Sequence, residues 1–108
     1  MEASEYCIIT TTTDSKENAE AITQILLENK LVACVQSTTV QSAYHWGGSI
    51  TESEEILLQM KTKRSLFEKI QEEIAHLHAY EVPEIIMVPL AGASRGYLQW
   101  IEEVTVKR

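Results

Sequence analysis

The sequence predicts an α+β domain in which seven elements alternate as β-α-β-β-α-β-α. Three observations predict it. Short β-branched or apolar runs stand at Glu5-Tyr-Cys-Ile-Ile-Thr-Thr-Thr-Thr13, Leu31-Val-Ala-Cys-Val35 and Ile85-Ile-Met-Val-Pro-Leu90, the composition of strands buried on at least one face. Asp14-Ser-Lys-Glu17 and Ser65-Leu-Phe-Glu68 carry the acceptor-to-acid spacing of capping boxes and precede apolar residues at helical period. Two long half-apolar stretches flank Gly47-Gly48, a turn signal.

In chain order, the first strand ends at Thr13, and Asp14 caps a helix over residues 14–29 whose inner face is Ala19, Ile22, Ile25 and Leu26. Its outer face holds Lys16, Glu20, Gln24 and Glu28. The second strand begins apolar at Leu31 and runs, more polar, to Trp46. Val40, Ser42, Tyr44 and Trp46 share one of its faces, and Gln41, Ala43 and His45 the other. Residues 50–63 return as the third strand. Ser65 opens a second helix with Leu66, Phe67, Ile70, Ile74 and Leu77 inward, and it must end before Pro83, because the residue preceding a proline is pushed out of the helical region. Pro89 places the fourth strand at an edge or a bulge. Ser94 caps a last helix through Val104, with Tyr97, Leu98, Ile101 and Val104 on one side.

This order is that of a ferredoxin-like split β-α-β sandwich with a long hairpin and an extra C-terminal helix, one domain over residues 1–108. The hairpin is too long for two helices to cover. Its outer part wants another sheet to pair with, which predicts oligomerisation.

Composition excludes more than it proposes. Lys plus Arg number 9 and Asp plus Glu 16, a formal net charge of −7 in 108 residues, and the acids are spread along the chain. That balance argues against a nucleic-acid binder, which needs a basic face, and supplies no polybasic membrane anchor. Lys61-Thr-Lys-Arg64 is the densest basic run, and ion-pair partners or a small anion contact account for it. The four glycines form no phosphate-binding loop, and no nucleophile elbow or HExxH is present. Cys7 and Cys34 belong to no CxxC pair and read as free thiols of a reducing cytoplasm. Met1 opens onto Glu2-Ala3-Ser4-Glu5 without a basic leader segment, and no apolar run approaches membrane-spanning length.

With the elements placed, His76-Leu-His-Ala-Tyr-Glu-Val-Pro-Glu-Ile-Ile86 resembles the His-Pro-Tyr-Glu-Val-Pro-Glu-Ile stretch of the CutA family, the divalent-cation tolerance proteins. Leu31-Val-Ala-Cys-Val35, Tyr44-His-Trp-Gly-Gly48, Glu55-Ile-Leu-Leu58, Lys61-Thr-Lys-Arg-Ser-Leu-Phe67 and Tyr97-Leu-Gln-Trp-Ile101 agree with it in family order and spacing. The resemblance implies a homotrimer with PII-like architecture, long hairpins pairing across subunits and ligands held in intersubunit clefts. It implies a role in tolerance of divalent metals, copper especially. It implies no catalysed reaction, so an enzyme is not expected.

The resemblance also implies a copper site built from a cysteine near the end of the first strand and a His-His pair before Pro-Tyr. Here Thr11 stands at the cysteine position, Leu77 and His78 at the pair, and Ala79 at the proline. Cys7 lies about 13 Å from Thr11 along the same strand face. A lone imidazole cannot hold Cu(II) or Zn(II) selectively, because these ions want three or four N or S donors. His78 and Glu81 are the metal candidates, with His76 and Glu84 available for recruitment. The alternative for His78 is a cap on the second helix. Tyr44, Trp46, Lys61, Tyr80 and Glu84 are the candidate cleft residues, and His45 a packing residue between subunits. No cofactor is expected to be required, and Cu(II) or another divalent cation would bind weakly. The competing expectation is a PII-like signalling or structural trimer that takes a small metabolite or protein partner, with metal binding incidental.

Overall fold

The β-branched runs and helical periods fold into the expected elements, with shifted boundaries. The computed structural model describes residues 1–107. A short 3-10 turn, Ala3–Glu5, leads into β1 (Tyr6–Thr13), α1 (Lys16–Glu28), β2 (Cys34–Trp46) and β3 (Ser49–Lys63). A second 3-10 turn, Arg64–Leu66, precedes α2 (Phe67–Leu77), β4 (Ile86–Pro89) and α3 (Arg95–Val104). Among the described residues the strands form a four-stranded sheet ordered β2-β3-β1-β4, each neighbouring pair antiparallel.

Alternation along the strands gives the sheet two different faces. On the first, Cys7 and Ile9 of β1 and Leu58 and Met60 of β3 pack against Ala19, Ile22 and Leu26 of α1 and Ile70 and Ile74 of α2. On the second, α3 covers one end by setting Leu98 and Ile101 on Tyr6, with Ala33 and Leu90 beside them. Ile86 and Val88 of β4 stay exposed. Pro89 sits in that edge strand opposite Cys7, where its missing N–H costs no ladder bond on the outer side.

Three boundaries correct the sequence reading. The cap of α1 is Ser15, not Asp14: Ser15 Oγ accepts the Asn18 amide at 3.1 Å, and Asp14 is left exposed. The second helix begins later than Ser65. The chain leaves β3 through the tighter 3-10 turn, so the Phe67 amide is satisfied by the Arg64 carbonyl, and α2 begins at Phe67. The second strand starts at Cys34, because Leu31 and Val32 are drawn into the core. Leu31 closes α1 instead. Its amide bonds the Leu26 carbonyl at 3.0 Å while the Lys30 amide bonds that of Leu27, a Schellman end with Lys30 at φ 56°.

The hairpin overshoots the rest of the sheet. β1 pairs with β3 only from Tyr6↔Lys63 to Thr13↔Ile56, whereas β2 follows β3 out to Trp46↔Ser49. Residues 49–55 therefore have one neighbouring strand, over roughly 20 Å. The overhang draws the molecule out to 45 × 26 × 21 Å. Gly47 and Gly48 both have positive φ, as a two-residue primed turn requires. At that tip Trp46 and Ile50 are each 73% exposed.

Candidate functional site

A groove opens where β1 stops. Past Thr13↔Ile56 the hairpin runs on alone, and the first residue beyond is Glu55, one step out of phase with core-facing Ile56 and therefore turned to the second face. The chain after α2 comes back across the vacated edge. Asn18 on α1 fixes its path: its Oδ1 accepts the Thr13 hydroxyl at 3.0 Å and the Ala79 amide at 3.1 Å, while its Nδ2 donates to the Leu77 carbonyl at 2.9 Å.

His78 fixes the next step. Its Nδ1 accepts the Tyr80 amide at 3.0 Å, so Nε2 carries the proton and donates to the Thr12 carbonyl at 2.8 Å. The rings of His78 and Tyr80 lie 4.9 Å apart. Tyr80 then reaches over the groove and donates its hydroxyl to Glu55 Oε2 at 2.7 Å. Burial, followed by that hydrogen bond and the Glu55 charge, holds the Tyr80 hydroxyl above the usual tyrosine range. Further along, Thr10 donates its hydroxyl to Glu84 Oε2 at 3.0 Å.

The result is a groove of about 870 Å³ between hairpin and loop. Of the residues expected from sequence, Tyr44, Trp46, Tyr80, Glu81 and Glu84 line it together, and His45 lines it too. Sequence reasoning missed Asp14, Glu55 and Thr12 in its walls. The structure does not bring Lys61 there. Lys61 pairs in register with Cys34 at the other end of the hairpin, and its Nζ bonds Gln36 Oε1. His78 stands behind the loop rather than in the lining, at the C-cap of α2.

The basic run is used internally. Lys63 is 4% exposed and donates to the Val106 carbonyl at 2.6 Å and to Glu102 Oε2 at 3.3 Å. Tyr6 donates to the other oxygen of Glu102 at 2.8 Å. Burial and Glu102 push the Tyr6 hydroxyl up to about 12, and Tyr6 with Lys63 draws the Glu102 carboxyl down. Arg64 Nη1 donates to the Ser4 carbonyl at 3.2 Å. These cations clasp α3 and the N-terminal turn to the end of β3.

A sequence profile described as "CutA1 divalent ion tolerance protein" matches residues 7–104. The chain belongs to the CutA1 family. It is 39% identical over 99 residues to a protein of Thermus thermophilus named "Divalent-cation tolerance protein CutA", covering 91% of this chain and 96% of that one. The crystal structure of a CutA1 from Oryza sativa superposes with a TM-score of 0.93 at 29% identity over the whole of both chains. A CutA from Archaeoglobus fulgidus, described as periplasmic, gives a TM-score of 0.89 at 33% identity over 92% of this chain and 97% of that one. These names describe tolerance proteins, and no catalytic family is among them.

Against that family background, the donors for a resident copper or zinc site do not fit this subunit. Thr11 is wholly buried, with its Oγ1 lacking a hydrogen-bond partner among the described residues. Cys7 is buried, and burial pushes its thiol up to about 11, which keeps it protonated and a poor ligand. His78 presents no free lone pair in this arrangement. Among the described residues no three of His, Cys, Asp and Glu converge.

Proposed function

We propose that the chain acts by binding, as a homotrimer whose grooves are completed across subunits and take a small polar or cationic ligand in the divalent-cation tolerance role of its family. The groove carries this reading. Four carboxylates, from Asp14, Glu55, Glu81 and Glu84, share its walls with Tyr44, Trp46 and Tyr80. The overhanging hairpin supports the trimer, since an extended edge with an exposed Trp46 and Ile50 finds its partner strand in another copy. The β-α-β-β-α-β order and the strand order β2-β3-β1-β4 support a ferredoxin-like, PII-like subunit in this reading. The free thiols of Cys7 and Cys34 support a cytoplasmic location.

Divalent cations, Cu(II) included, enter this reading as weak ligands of carboxylate oxygens, with no cofactor required. One observation favours the second reading, a PII-like signalling trimer in which metal binding is incidental: both ring nitrogens of His78 are engaged in holding the loop. Calorimetric titration of the tag-free protein with Cu(II) and Zn(II), with mass measured on the same sample, tests both. Weak binding to a particle three times the 12.2 kDa chain is expected. A monomer would overturn the trimer. Submicromolar binding at a fixed ratio per subunit would overturn the carboxylate-only account.

A further inference from the structure

We propose that the groove is a site for an organic ammonium ion, an alkyl diamine in particular, with one ammonium head seated on Glu55. This rests on the reading of the groove as the ligand site and names what it takes.

Glu55 is the observation that points to the ligand. It is 7% exposed, yet it lines the groove wall. One carboxylate oxygen accepts the Tyr80 hydroxyl, and among the described residues the other accepts no hydrogen bond. No cation answers it either, because the ion pairs in the described residues are Lys63–Glu102 and Lys69–Glu73. That second oxygen is not among the fully enclosed unpartnered polar atoms of the described residues, so a hydrogen-bonding cation entering the groove can reach it. The free oxygen is the place for it.

The surroundings choose an organic cation over a bare metal ion. A metal ion wants several converging donors, and no three acidic or imidazole groups converge here. Glu84 already has one oxygen on Thr10. A space of about 870 Å³ is the size of a small-molecule site. Tyr44, Trp46 and Tyr80 give aromatic walls to that space, which attract ammonium groups and cover a hydrocarbon stem. Asp14, Glu81 and Glu84 lie along the same groove for a second positive head. An ammonium has three donors and would use the free oxygen of Glu55 directly.

The test is a calorimetric titration of the full chain with 1,4-diaminobutane, with 1,4-butanediol as its uncharged counterpart. The diamine is expected to bind and the diol not to. Glu55→Gln keeps an acceptor for Tyr80 and removes the charge. It should weaken the diamine at least about tenfold, as the loss of a charged hydrogen bond does. Glu28→Gln removes the same charge from the exposed face of α1 and should change nothing. No binding to the wild type, equal binding of the diol, or equal binding to Glu55→Gln each overturns the proposal. The Trp46 fluorescence of a Trp100→Phe variant, followed in a parallel Zn(II) titration, separates this from the wider reading. If Zn(II) perturbs Trp46 and the diamine never binds, the groove stands as a site and the ammonium assignment falls.

Discussion

The Tyr80 hydroxyl meets Glu55 Oε2 at 2.7 Å and so joins the loop after α2 to the strand that carries the hairpin beyond the sheet. One contact thus shapes the groove and leaves its buried carboxylate half satisfied. The two sides of the contact should respond differently to mutation. Tyr80→Phe strips Glu55 of its donor and should destabilise the fold by about 1–3 kcal/mol. Glu55→Gln keeps the hydrogen bond and removes a buried charge, so it should be neutral or stabilising in the absence of ligand. Urea unfolding of both variants checks this. A Glu55→Gln protein less stable than Tyr80→Phe would contradict an uncompensated charge at Glu55.

Asn18 ties three chain segments with its one amide, accepting from Thr13 and Ala79 and donating to Leu77. Asn18→Ala should cost about 2–3 kcal/mol, more than one hydrogen bond, because it leaves groups on three segments without partners. Amide hydrogen exchange should quicken at Ala79 and Tyr80 ahead of the core of α1. Uniform exchange across the molecule would deny Asn18 this positioning role.

Alkaline pH should unlock the other end. The Tyr6 hydroxyl is raised to about 12 by burial first and Glu102 second. Below the ordinary tyrosine value, near 10, both folded and unfolded chains keep that proton and the contribution is complete. Between pH 10 and 12 the unfolded chain releases the proton while the folded one holds it, so stability falls as pH rises. Tm followed by circular dichroism should drop through that window, and Tyr6→Phe should flatten the drop. An unchanged slope in Tyr6→Phe would show that Tyr6 is not its source.

The hairpin tip should govern assembly. Trp46 and Ile50 are large, apolar and mostly exposed on a two-stranded overhang. The double variant Trp46→Ser, Ile50→Ser should shift sedimentation from the proposed trimer toward smaller species while leaving the far-ultraviolet circular dichroism unchanged. A variant that sediments as the wild type does would place the subunit contact elsewhere.

Element order was legible in the sequence because periodicity reports burial, and the sheet buries β1 and β3 against two helices as those periods require. Cap positions were less legible. Asp14 and Ser15 are adjacent acceptors, and the choice between them depends on the exact exit of β1, which a local pattern does not contain. The groove was half legible. Tyr80, Glu81 and Glu84 are dense in one loop, and Tyr44 and Trp46 share a strand face, so they surfaced together. Glu55 was hidden among Glu52, Glu54 and their neighbours, where strand acids read as solvated. Only the return of the loop after α2, which sets Tyr80 on Glu55, reveals that it is covered. Register also removed Lys61, which aligns with Cys34 rather than with the hairpin's outer half.

The central claim, that this groove is the ligand site, is tested most directly by amide chemical-shift mapping. The full-length protein would be titrated first with Zn(II) and then with 1,4-diaminobutane. The account predicts that shifts concentrate on Thr12, Tyr44, Glu55, Tyr80 and Glu84. Shifts concentrated at Lys63, Arg64 and Glu102 instead, or no saturable shift with either probe, would contradict it.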